Sequence, residues 1–222
     1  MTDEPRGREN PRIKISSRLT PHSFADIIFG LALSIGALFL TQNQNRVLTS
    51  QDYAWNVLLF GFSFLVIAIT WLLFSRTMSA LPSEVPSTLF LNLVLLFCVA
   101  LEPYLFYTLY NATQNLLSVT SVGYALDVGF MFLILATLSS FVLKQKERLE
   151  GEDKGPSLNA KALQTFRRMM IEESVVAALF LVSATPPFWV STPVGHLRFV
   201  LWYSSFLIPL IYHSSLHLKN TK

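Results

Sequence analysis

From Tyr53 to Phe74 the chain runs without a single charged residue. The hydrocarbon core of a bilayer is about 30 Å thick and takes roughly 20 helical residues at about 1.5 Å each, so this run is long enough to cross it. Five further apolar runs lie at Pro21–Thr41, Leu89–Tyr110, Val119–Leu143, Met169–Val190 and Gly195–Leu216. Together they predict an all-α, polytopic membrane protein with six transmembrane helices. Glu172 and Glu173 shorten the apolar part of the fifth run. The first follows a hydrophilic arm, contains Asp26 and lacks a small-residue cleavage pattern, so it is expected to be a retained helix rather than a removable signal.

Composition agrees with a lipid setting. The chain is 52% hydrophobic and 14% charged, whereas a globular domain carries about 25% charged residues, and most of its charges fall outside the apolar runs. A net charge of +3 would fit nucleic acid only if it formed a patch. The basic residues instead gather in short segments that flank the runs, as membrane orientation requires. The lone cysteine, Cys98, excludes a disulfide framework and a cysteine-based zinc cluster.

Fifteen of the 17 Lys and Arg residues fall on one side of a six-span topology. They lie in the amino-terminal arm, after the second run at Arg76, after the fourth run from Lys144 to Arg168, and in the carboxyl tail. Only Arg46 and Arg198 fall on the other side. Both termini are therefore predicted to be cytoplasmic, and an even number of crossings agrees. The organisation is an arm over 1–19, a transmembrane domain over 20–217 with a cytoplasmic loop at 144–168, and a tail over 218–222. Within the loop, Gly155-Pro156 marks a turn. A short interfacial helix capped by Ser157 would present Leu158, Ala162, Leu163 and Phe166 to the membrane surface. An ordinary solvated linker is the alternative.

Ionisable residues within spans need partners or water, which makes Asp26, Glu102 and Asp127 site candidates. Asp26 lies shallow in the first helix, whose start is signalled by Thr20 as N-cap and Pro21 behind it, and is expected to lock neighbouring helices through Arg76 or Asn92. Glu102 precedes Pro103, which removes a backbone donor and kinks the third helix. Both Glu102 and Asp127 are expected near the outer end, in contact with water. Ser121-Val122-Gly123-Tyr124 is similar to a potassium-channel carbonyl filter but breaks at Ala125, where the second glycine should stand. His213 and His217, at i and i+4, could hold a metal with Glu172 and Glu173, yet they lack the His-Glu-x-x-His glutamate. No metal site and no catalytic residue is therefore assigned.

Three segments in order resemble the transmembrane protein 175 family, the lysosomal potassium channels and their short prokaryotic relatives. Phe24-Ala25-Asp26 and the run to Ser34 are similar to its Phe-Ser-Asp signature and first helix. Ser63 to Trp71 resembles the second helix, with Arg76 at the place of its post-helix arginine. Leu91-Asn92-Leu93 through Pro103 resembles the third. Ala25 replaces the signature serine, and Phe74-Ser75 stand where a His-His pair is usual.

The resemblance implies a homotetramer without a carbonyl filter, in which the first helix of each subunit lines a central path. Carried over by position, the constriction falls on Leu31, Ile35 and Leu38, with Ser34 at the place of a hydroxyl residue linked to selectivity. These four positions share one helical stripe. Ala25, Ala32 and Gly36 form a small-residue stripe behind them, suited to close packing. The expected function is a potassium-permeable channel of the cell membrane with potassium ions and lipids as partners, no cofactor, no enzymatic activity and no nucleic acid. The alternatives are a proton-coupled transporter using Asp26, Glu102 and Asp127, a metalloenzyme around His213 and His217, and a structural membrane subunit.

Overall fold

The computed structural model describes residues 21–42, 50–81, 86–113, 116–150, 160–188 and 197–206. Among them every regular element is helical: α1 (Pro21–Gln42), α2 (Ser50–Ala80), α3 (Pro86–Tyr110), α4 (Leu117–Glu150) and α5 (Ala160–Ser183), then a 3-10 turn at Pro186–Phe188 and a helix over 197–206. Proline opens both α1 and α3, where its fixed φ suits the first helical turn and its missing N–H would have had no intrahelical partner. Three stretches are long and apolar enough to span a membrane, Phe60–Ala80, Pro86–Tyr110 and Leu117–Gln145, and α1 adds the shorter apolar stretch Ser23–Phe39. The chain is an all-α, polytopic membrane protein.

The expected helices shift at two places. The fifth starts earlier, at Ala160, and ends earlier, at Ser183. It carries Arg167, Arg168, Glu172 and Glu173 around its middle, with Arg168 Nε bonded to Glu172 Oε1 at 2.7 Å. Pro186 and Pro187 cannot donate the hydrogen bonds that would continue it. Among the described residues Ala162, Leu163 and Phe166, expected on a separate interfacial helix, belong to α5, which is helical without a break from Ala160, and Phe166 packs against the core. Ser157 and Leu158, like His213 and His217 and most of the sixth apolar run, lie outside the described residues.

The fold is organised around α4, which packs against α2, α3 and α5. In its most apolar stretch 61% of the residues are buried, against 39% in α2 and in α3. Gly129 sets the distance to α5: a Cβ there would lie 2.9 Å from Leu181 Cγ and Cδ2, so only hydrogen lets the two backbones approach this closely. Aromatic rings fasten the 197–206 helix to the same core. Trp202 stacks on Phe180 at 5.6 Å, leans on Tyr124 at 5.2 Å, and donates its indole N–H to Ser183 Oγ at 2.8 Å.

Helix α1 sits at the edge, against α2 and α3. Ala25, Phe29 and Ala32 bury its inner face, and Gly36 brings the helix up to Phe60, whose ring would lie 3.5 Å from an added Cβ. The expected small-residue stripe is thus the docking face of this helix. Phe74, at the place of the missing His-His pair, is buried with its ring 5.7 Å from that of Phe29.

Candidate functional site

The other face of α1 is bare. Phe24, Ile27, Leu31, Ser34 and Leu38 all point away from the subunit, with Leu31 54% and Leu38 60% exposed, and Ile35 half-buried at the margin. Their spacing of three or four residues keeps them on one stripe. Ser34 donates its hydroxyl hydrogen to the Gly30 carbonyl one turn earlier, at 2.8 Å. With that hydrogen committed, its oxygen offers lone pairs to anything beside the stripe.

At the beginning of α1, Asp26 is exposed and accepts a hydrogen bond from the Trp71 indole N–H at 2.9 Å. This is the lock expected of Asp26, but with a different partner. Arg76 is exposed on the following turn of α2 and makes no bond to Asp26, while Asn92 is buried with its Oδ1 unpartnered among the described residues. The partner is Trp71 because its indole, unlike Asn92, lies on the outer surface of α2 and reaches across to α1.

Two acids expected to be wet are buried, and the reason is the packing of α3 between its neighbours. Glu102 has no exposed surface; Ser63 on α2 lies 2.9 Å from Oε1 and 3.0 Å from Oε2, and Tyr124 on α4 lies 3.2 Å from Oε1. Asp127 is buried one turn beyond Tyr124, and its Oδ2 is unpartnered among the described residues. Pro103 is buried within α3.

Farther along α4, Ser139 donates to Glu173 of α5 at 2.8 Å and meets Thr77 of α2 at 3.4 Å. Toward the beginning of α4, the buried Arg198 reaches Ser121 Oγ and, at 3.4 Å, the Phe188 carbonyl. The Ser121–Tyr124 segment lies inside α4, so its carbonyls are directed along the helix and Tyr124 is in the core. This is no carbonyl filter. No group of three metal-ligating side chains occurs among the described residues.

Sequence reading found Asp26, Glu102 and Asp127 but missed Ser63 and Tyr124 as the partners of Glu102. These are 39 and 22 residues away, and a lone Ser or Tyr in an apolar run gives no local sign of a distant carboxyl. Residues 21–103, which span α1, α2 and α3 up to Pro103, match the family model described as Endosomal/lysosomal potassium channel TMEM175. No curated protein matches the chain.

Proposed function

We propose that this chain is a member of the TMEM175 potassium channel family, whose model matches residues 21–103, and that it is a homotetrameric potassium channel whose central path is lined by α1 of each subunit. The observation that carries this reading is the two-sidedness of α1, small and packed behind, apolar and bare in front. A subunit with its strongest core elsewhere can turn such a face toward a shared axis without loss of its own packing.

In that arrangement Leu31, Ile35 and Leu38 repeat around the axis as apolar rings. Such rings restrict flow by excluding water from a narrow path, with no need for a carbonyl filter. The Ser34 oxygen, its hydrogen turned back to Gly30, offers lone pairs and therefore favours a cation. The signature residues serve the geometry: Ala25 lets α1 settle, Asp26 and Trp71 tie it to α2, and Pro103 ends the matched segment inside α3. Arg76 and Asn92 make no bond to Asp26 and act elsewhere in the subunit. The strong bias of basic residues toward one side supports cytoplasmic termini in the cell membrane.

Recording from the purified chain in planar bilayers tests the proposal. Unitary currents should appear in potassium without a proton gradient, with a reversal potential that favours potassium over sodium. A correctly assembled oligomer that passes no such current would defeat it, and transport only under a proton gradient would favour a carrier.

A further inference from the structure

The only Asp, Glu, Lys or Arg between Glu173 and Lys219 is Arg198, and it is 4% exposed. A buried charge is costly unless an opposite charge and a full set of hydrogen bonds meet it. The guanidinium stays cationic and has five hydrogens to donate. Nη1 has two of them and finds two acceptors, Ser121 Oγ and, at 3.4 Å, the Phe188 carbonyl oxygen. Both acceptors are neutral. Among the described residues, Nε is buried without a partner and Nη2 donates to none. The edge that remains, Nε with Nη2, is a side of the fork that can grip two oxygens of one oxyanion.

The elements that meet at Arg198 supply no counter-charge. Ser121 comes from α4 and Phe188 from the turn after α5, and neither Pro103–Leu126 nor Ser174–Leu218 contains an Asp or Glu. The acids with described side chains lie elsewhere: Asp26 is bonded to Trp71, Glu102 to Ser63 and Tyr124, Glu172 to Arg168 and Glu173 to Ser139. Asp127 stands nearly two turns farther along α4 than Ser121. Arg198 forms no ion pair among the described residues. The Phe199 ring, 5.1 Å from Cζ, attracts the charge without neutralising it.

We propose that Arg198 is the anion-binding residue of a lipid site, in which a phosphodiester headgroup seats two oxygens on the Nε–Nη2 edge. The position favours a lipid over a free anion. Ser121 is in the second turn of α4 and Phe188 follows the end of α5, so the guanidinium stands near one end of the bundle, where helices of bilayer length meet the headgroups. Val119, two residues before Ser121, and Leu197 and Val200 on either side of Arg198 are exposed apolar side chains, which suit the acyl chains below a phosphate. A headgroup held there neutralises the charge and ties α4, the turn after α5 and the 197–206 helix through one guanidinium. The site lies outside residues 21–103 and does not depend on where ions pass.

The test uses the full chain purified in an uncharged maltoside detergent, at constant ionic strength in chloride salt. Dihexanoylphosphatidylglycerol, dihexanoylglycerol and inorganic phosphate are titrated separately, and the thermal midpoint is read. A ligand of the folded state raises the midpoint as its site fills. The phosphatidylglycerol should do so saturably, and dihexanoylglycerol, with the same tails and no phosphate, should not. Arg198→Met should abolish the response. Arg198→Lys keeps the charge but not the fork, and should raise the half-saturating concentration about tenfold or more, the worth of one charged hydrogen bond. Should Arg198→Met fail to fold, Arg198→Lys decides. No response in the wild type, or one unchanged in either variant, overturns the proposal, and an equal response to inorganic phosphate overturns the lipid source. Asp52 is the acid that the six-span topology places in an outer loop; a response that appears only in Asp52→Asn would hand the fork to that acid. None of these readouts involves conduction, so a failure of the channel reading would leave them intact.

Discussion

The Trp71 indole N–H is bonded to the Asp26 carboxylate across 2.9 Å, and this bond joins two helices whose residues are 45 apart in sequence. A hydrogen bond to a charged group contributes more than one between neutral groups, and exposure reduces the difference. Trp71→Phe keeps the ring and removes the donor. It should lower the stability of the purified oligomer by about 1 kcal/mol, and Asp26→Asn should do much the same. The double variant should cost no more than the larger single one, because both remove one bond. Arg76→Ala should leave the thermal midpoint unchanged.

Leu31→Ala removes three carbons per subunit from a ring in the proposed path. Unitary conductance should rise and potassium should lose its advantage over sodium. Leu31→Asn should also raise conductance, because it hydrates the ring at similar bulk. Val182, exposed on α5, serves as a lipid-facing control. Bi-ionic reversal potentials for Leu31→Ala, Ile35→Ala and Val182→Ala separate the two cases, and a wild-type result at both α1 positions removes α1 from the pore.

Gly129→Ala would bring a methyl group to 2.9 Å from Leu181 Cγ and Cδ2. Overpacking of this kind costs about 1–3 kcal/mol, so the thermal midpoint should fall. The Gly129→Ala, Leu181→Ala pair should recover much of that loss. Equal loss in the single and double variants would place the cause outside the α4–α5 contact.

Ser139→Ala should leave a buried Glu173 without its hydroxyl donor, at a cost of about 1–3 kcal/mol. Since Glu173 Oε1 already lacks a partner among the described residues, the loss should be largely relieved by adding Glu173→Leu, and chemical denaturation of the purified oligomer measures both.

The orientation is open to cysteine labelling. Reagent applied outside intact cells should reach a cysteine at Asn45 and not one at Lys154, following the basic bias of the chain.

Helix positions were legible because an apolar run long enough to cross a bilayer leaves few alternatives. Four of the predicted runs coincide with α1 to α4. The fifth was less legible, since Glu172 and Glu173 lie on an element that packs against α4 rather than meeting lipid on all sides. Position along a span was misleading for Glu102 and Asp127, which are buried rather than wet. Distance from a helix end says nothing about which face a side chain occupies, and both acids face the interior between helices. The partners of these acids come from helices brought together only by folding, so no spacing within a run could reveal them. The stripe on α1 was visible in its periodicity. Which of its two faces was packed depended on α2 and α3.

The burial of α4 gives the subunit an uneven tolerance of change. A substitution at Tyr124 meets Glu102 and Phe106 of α3 and Trp202 of the 197–206 helix, and one at Gly129 meets Leu181 of α5, so few residues can occupy those positions. At Leu31, more than half exposed on α1, the packing of the subunit constrains the choice far less. Variation can therefore accumulate along the bare edge of α1 while the scaffold stays the same, and one architecture can present many different edges to whatever it faces.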